Sequence, residues 1–208
     1  MNTNFVVNIG RQLGSGGREI GAKLAGSLQI AFYDKELINL ASKESGLSEK
    51  LFEAADEKTA FSLKTGVLGL RSSVITDGFT NNYLCNETLF KIQSDVIREL
   101  AGKQSCVFVG RCADYILRDH PRTLNVFICA GLEDRIRRVA KNLDLPEKKA
   151  RELIEKTDKK RAAYYNYYSN KQWGAASTYH LCINSSVLGI EATVDVVRQV
   201  LDKKLNAR

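Results

Sequence analysis

Short runs of β-branched and apolar residues alternate along this chain with stretches whose apolar positions recur every three or four residues, a pattern that predicts strands separated by helices. Phe5, Val6, Val7 and Ile9 make the first run, and glycines between Gly10 and Gly17 end it. Ile20, Leu24 and Leu28 then repeat every four residues, one face of a helix. Ile30 to Tyr33 reads as a second strand, followed by a helix from Lys35 to Lys43. Leu89, Ile92, Val96 and Leu100 mark another helix face, leading into the apolar strand Ser105 to Val109. An apolar run without alternation is the signature of a strand buried on both faces of a parallel sheet. Leu124 to Ala130 and Tyr179 to Asn184 complete five strands, with a helix from Leu132 to Asn142 and a C-terminal helix along Ile190, Val194, Val197, Leu201 and Leu205. The expected fold is α/β, a five-stranded parallel sheet with helices on both faces and its ligands at the strand carboxyl ends.

Two segments stand apart from this rhythm. Asp56 to Asn82 holds Gly66, Gly69 and Gly78 with weak periodicity, and reads as an irregular insertion with one short helix. An insert of this length in a compact domain is usually functional. Asp144-Leu145-Pro146-Glu147 has the form of a capping box, after which Ala150, Leu153, Ile154, Thr157, Arg161, Tyr164, Tyr165 and Tyr168 follow at helical spacing.

Length and composition narrow the class. The 208 residues suit one domain, and 44% hydrophobic with 26% charged residues and only 2 prolines exclude a disordered chain. The longest stretch without strongly polar residues, Val126 to Leu132, is far too short to cross a bilayer, and residues 1 to 10 lack the features of a leader, so a soluble cytoplasmic protein with no membrane partner is expected. The five cysteines form no CxxC pair and are read as reduced and structural, Cys106, Cys129 and Cys182 in buried strands. His120 and His180 have no partner in motif spacing and are read as structural. The net charge of +7 favours an anionic partner. Eleven basic residues against seven acidic ones lie between Glu133 and Arg161, which makes the excess local. Because acids interleave with it, nucleic-acid binding is the weakest of the functions it suggests.

Gly10-Arg11-Gln12-Leu13-Gly14-Ser15-Gly16-Gly17-Arg18-Glu19-Ile20 lies between a strand and a helix, where backbone N–H groups and the helix terminus can bind an oxyanion. With it come Phe32-Tyr33-Asp34-Lys35-Glu36-Leu37-Ile38, Val107-Phe108-Val109-Gly110-Arg111-Cys112-Ala113-Asp114 and Asp134-Arg135-Ile136-Arg137-Arg138. Asp158-Lys159-Lys160-Arg161-Ala162-Ala163-Tyr164-Tyr165 and the later Tyr179-His180-Leu181-Cys182-Ile183-Asn184 complete the set. In order and spacing these segments resemble the cytidylate kinase-like branch of the P-loop nucleoside monophosphate kinases. The resemblance implies a three-layer P-loop fold over residues 1–208, an NMP-binding insertion at about 56–82 and a basic helical lid at about 133–168. It also implies ATP and Mg²⁺ as cofactors and a nucleotide substrate.

Against the family pattern this chain has Arg11 for the first loop glycine, Gly17 for the phosphate-binding lysine, Glu19 for the metal-binding hydroxyl residue and Val109 for an acidic residue. Ala162, Tyr165 and Tyr168 replace polar residues on the second lid helix. The resemblance therefore assigns Arg11, Gly14, Ser15, Gly16, Gly17, Arg18 and Glu19 to phosphate, with Glu19 the one candidate near a metal. Arg18, Arg135, Arg138 and Arg161 are the candidate catalytic charges, since phosphoryl transfer depends on positioning and charge neutralisation. Asp34, Arg111, Asp114 and Tyr165 are assigned to the acceptor, Asp34 being equally suited to cap the helix after it. The tyrosines 164, 165, 167 and 168 with Trp173 either stack a base or pack. Three functions follow: a kinase passing the ATP γ-phosphoryl group to a nucleoside monophosphate or similar small phosphorylated acceptor, a catalytically silent nucleotide-binding module, and a nucleic-acid-binding protein. The sequence assigns no oligomeric state.

Overall fold

The computed structural model of the chain describes residues 4–34 and 78–206. It divides into two compact units, one made of Met1–Asp34 and Leu100–Arg208, the other of Lys35–Glu99. The helix expected over Lys35 to Lys43 and residues 56–77 of the expected insertion lie outside the described residues. In the second unit the described part is helical from Gly78, within a helix α2 that runs Gly78–Lys103, so the expected irregular segment is already helical over its last five residues.

The first unit is built on five parallel strands, β1 (Val6–Arg11), β2 (Ala31–Tyr33), β3 (Cys106–Val109), β4 (Thr123–Cys129) and β5 (Leu181–Asn184), in the order β2-β3-β1-β4-β5. Register places Val7 between Val107 and Leu124, and Ile9 between Val109 and Val126. Side chains alternate along a strand, so these residues share one face. Helix α1 (Gly17–Leu28) lays Ile20 and Leu24 on that face. The final helix α6 (Ser185–Asn206) adds Val194, Val197 and Leu201, and all five are below 8% exposed. Gly189 interrupts α6 with φ 76° and ψ 173°, which explains why the apolar stripe of the sequence starts at Ile190. The pattern-based expectation of an all-parallel α/β sheet is met because the hydrophobic period of each element matches the face it buries.

Between β3 and β5 come the single helical turn α3 (Ala113–Ile116), and helices α4 (Leu132–Leu143) and α5 (Glu147–Ser169), which pack on each other through Ile136, Val139, Ala150 and Ile154. Leu13 of the glycine loop is packed against the same cluster. The capping box does not form: Asp144 takes a left-handed φ of 51° to end α4, and Pro146 precedes α5 without a side-chain cap. A residue used to close one helix is not placed to open the next three residues on. Cys106 is buried as expected, but Cys129 is half-buried and Cys182 exposed, because β5 is the sheet edge and Cys182 faces away from the core. Cys85 lies among the residues whose side chains are not described. Among the described residues no helix is long and apolar enough to cross a membrane.

The helix face of α1 is tested by Leu24→Ala. Its side chain is fully buried, so truncation is expected to cost about 2–5 kcal/mol, read as a lower midpoint with unchanged slope in urea unfolding.

Candidate active site

The chain leaves β1 at Arg11 and turns through Gln12 to Gly16 into α1, with Gly16 in the left-handed region. Neighbouring elements satisfy much of this loop. The Gln12 amide donates to Ile128 O at 3.1 Å, and the buried Ser15 hydroxyl donates to Gln12 O at 2.9 Å. Leu13 N–H donates to Asp158 Oδ1 at 2.8 Å, while Leu13 C=O accepts from Arg135 Nε at 2.8 Å. Asp158 Oδ2 pairs with Arg135, which is only 6% exposed. Arg138 donates to Gly14 O, and Ser185 Oγ to Ser15 O at 2.7 Å. The structure thus places Arg135 and Arg138 on loop carbonyls.

Asp34, buried after the end of β2, joins two basic residues: its carboxylate is 2.7 Å from Arg18 Nε and 3.5 Å from an Arg11 terminal nitrogen. Arg18 is otherwise largely exposed, its guanidinium 6.0 Å from the Phe32 ring centre. Glu19 is exposed and faces Lys23 one turn on, at 3.8 Å. Among the described residues no three His, Cys, Asp or Glu side chains are grouped to hold an ion.

A cleft opens at the carboxyl ends of β1 and β3, where Arg11, Arg111 and Arg161 meet Asp114 and Tyr165. These five of the expected site residues are brought together, whereas Gly14 to Glu19, Asp34, Arg135 and Arg138 do not line this cleft. The arginines come from the end of a strand, a turn and helix α5. Arg161 reaches over and donates to Arg11 O at 3.1 Å. Burial, then the nearby Arg161, pushes the Arg11 guanidinium down to about 10, with Asp34 opposing. Burial also lowers Arg161. Positive groups crowded in a partly dehydrated cleft favour an anionic occupant, which arginine binds through paired hydrogen bonds.

Opposite them, the Tyr165 hydroxyl donates to Asp114 Oδ2 at 2.6 Å. Desolvation raises the Asp114 carboxyl above its ordinary range, and the hydrogen bond from Tyr165 partly offsets it. Burial raises the Tyr165 and Tyr179 hydroxyls as well. Tyr164, Trp173 and Tyr179 line the cleft, but each also packs on neighbouring rings, Trp173 edge-on to Phe127 at 5.2 Å and Tyr164 on Tyr168 at 4.8 Å. Sequence reasoning missed Asn8. It lines the cleft, is 3% exposed, donates through Nδ2 to Asn125 Oδ1 at 2.9 Å, and its own Oδ1 has no protein partner. The signal was available: Asn8 interrupts the apolar run from Val6 to Ile9.

The turn that follows β3 is strained. Gly110, Arg111 and Cys112 have φ of 79°, 61° and 54°, and Ala113 N–H returns to Gly110 O at 3.3 Å. This is the φ signature of a type I′ turn carrying side chains at both central positions, a conformation that costs roughly 1–2 kcal/mol per non-glycine residue. What the strain secures is direction, since the same turn aims Arg111 and Asp114 into the cleft. Cys112 is buried there and its thiol is pushed up to about 12 by desolvation. The histidines lie elsewhere: His180 Nδ1 accepts from Asn125 N–H at 3.0 Å, and His120 meets Thr123 Oγ1 at 3.2 Å.

Sheet order, glycine loop and basic helical hairpin together define a P-loop kinase fold. Shikimate kinase from Bacteroides thetaiotaomicron superposes with a TM-score of 0.54 at 13% identity, over 95% of this chain and 98% of that one. The shikimate-bound shikimate kinase from Acinetobacter baumannii gives 0.53 at 14% identity, over 99% and 97%. An uncharacterized protein from Eubacterium ventriosum is more similar, with a TM-score of 0.73 and 27% identity over 96% of this chain and 99% of that one. No curated protein matches the chain. The profile of the cytidylate kinase-like family matches residues 6–187, and the chain belongs to that family.

The environment of Asp114 gives a pH test. A carboxyl whose folded pKa is raised binds more protons in the folded than in the unfolded state. Its contribution is therefore complete below the unfolded pKa and lost as pH rises through the folded one. Urea unfolding of wild type is expected to lose stability over that interval above pH 4, and Asp114→Asn, which keeps an acceptor for Tyr165, to flatten the slope.

Proposed function

We propose that this chain is a nucleotide kinase that transfers the γ-phosphoryl group of ATP to a nucleoside monophosphate or a similarly small phosphorylated acceptor. The convergence of Arg11, Arg111 and Arg161 on one cleft beside the glycine loop carries this reading. An acceptor phosphate would be held by Arg111, whose planar fork fits two phosphate oxygens, with Arg161 closing from the lid. Asp114 and Tyr165 would take a hydrogen-bond donor of the acceptor, such as a hydroxyl. In the transfer, an ionised acceptor oxygen bonds to the γ-phosphorus as the bond to the β,γ-bridging oxygen breaks. The electron pair leaves with ADP, and a dianionic phosphate acceptor needs no proton removed. Arginines around the cleft neutralise the charge that spreads over the transferring group. ATP is expected as its Mg²⁺ complex, with the ion carried by phosphate oxygens and water.

A second reading, a nucleotide-binding module without activity, has one observation in its favour: Arg135 and Arg138 are engaged by loop carbonyls and Asp158. A coupled assay over a panel of nucleoside monophosphates and small phosphorylated compounds separates the two. Transfer to at least one acceptor is expected, and binding of ATP with no transfer to any of them would leave the silent module. Arg111→Ala is expected to raise the acceptor KM roughly 10- to 150-fold, the equivalent of about 1.5–3 kcal/mol for a charged hydrogen bond, with ATP affinity unchanged.

A further inference from the structure

We infer that Arg11, projecting from the end of β1, supplies the positive charge to the triphosphate that a lysine at position 17 supplies in a lysine-bearing phosphate loop. The inference rests on the kinase reading above. It comes from what surrounds the Arg11 side chain at its two ends. A Cβ built on Gly17 would lie 2.6 Å from Arg11 Cβ and 3.2 Å from its Cγ. A Cβ on Gly110 would run into an Arg11 guanidinium nitrogen and lie 2.9 Å from Cζ. Both contacts are closer than packed carbon atoms approach, so one glycine makes room for the stem and the other for the head. The Arg11 side chain occupies the space that a residue 17 side chain would enter, and a lysine there and an arginine at 11 exclude one another. The missing lysine is then a relocation of charge by six positions along the chain, from the helix N-terminus to the strand end.

The other basic residues are less suited to the role. Arg18 is bound to Asp34 on an exposed flank, Arg135 is closed in by Asp158 and Leu13 O, and Arg138 sits on Gly14 O. Arg161 shares the cleft but arrives from the lid. Arg11 stands on the sheet itself, one-fifth exposed, with Asp34 at 3.5 Å behind its head, so it is in place before any lid movement. A fixed charge that requires no reorganisation is the kind that stabilises developing charge on a bridging oxygen.

The test is a side-chain exchange between positions 11 and 17, read by steady-state kinetics and by the rise in thermal midpoint that ADP or a non-hydrolysable ATP analogue produces. Gly17→Lys alone is expected to lower stability and leave kcat no higher than wild type. Arg11→Ala should lower kcat about 30- to 1,000-fold and shrink the nucleotide-dependent midpoint shift, and Arg11→Lys should retain most of both. The double variant Arg11→Gly with Gly17→Lys should recover at least about tenfold over Arg11→Ala, because glycine at 11 removes both the Cβ and the Cγ that a residue 17 side chain would meet. Gain of activity by Gly17→Lys alone, retention of kcat and midpoint shift by Arg11→Ala, or a folded double variant no better than Arg11→Ala would each overturn the inference. If Arg11→Ala does not fold, Arg11→Lys and Gly17→Lys decide it in the same directions. Wild type that transfers to no acceptor overturns the kinase reading alone: the midpoint shift then still reports on Arg11, whose loss weakens it if the inference holds and leaves it unchanged if not. Wild type with no midpoint shift overturns both.

Discussion

Both backbone groups of Leu13 are taken up by helices α4 and α5: its N–H by Asp158 at 2.8 Å and its C=O by Arg135 at 2.8 Å, while its side chain joins the cluster between the two helices. One residue of the glycine loop is thereby tied to two helices more than a hundred positions away in sequence. Asp158 and Arg135 also pair with each other, and their side chains are 14% and 8% exposed. Removing one partner of such a buried pair typically costs about 3–5 kcal/mol because the other charge is left uncompensated. Arg138 on Gly14 O and Arg161 on Arg11 O add two further ties from the same helices to the loop and the end of β1.

Around it the basic residues divide by what neutralises them. Arg18 and Arg11 share Asp34, and Arg135 and Arg161 both approach Asp158, at direct contact and at 3.8 Å respectively. Two carboxylates therefore serve four guanidiniums, and a third arginine of the cleft, Arg111, stands on a strained turn. The cleft gathers three arginines in a setting where charge is poorly screened, which suits an anion; burial is the first cause that lowers Arg11 and Arg161, with Arg161 adding to it at Arg11. Asp114 adds an acceptor whose ionisation the same dehydration opposes.

The sequence by itself determined the parallel α/β sheet, the glycine loop, the basic hairpin and the family, because these are written in local periods and in short ordered motifs. It also named Arg11, Arg111, Asp114, Arg161 and Tyr165, which meet in one cleft. Partition of the arginines belonged to the tertiary structure. Arg135 and Arg138 share a helix face, so spacing makes them look like one phosphate clamp. In the structure both also contact the glycine loop over 120 or more residues, Arg135 through Leu13 O and Arg138 through Gly14 O, and Arg135 pairs with Asp158. Likewise, Asp144 looked like a helix start and became a helix end, and a side chain at position 17 would meet the stem of Arg11. Side-chain type and spacing state what a residue can bind, but competition among nearby partners is settled by three-dimensional distance, which local sequence does not encode.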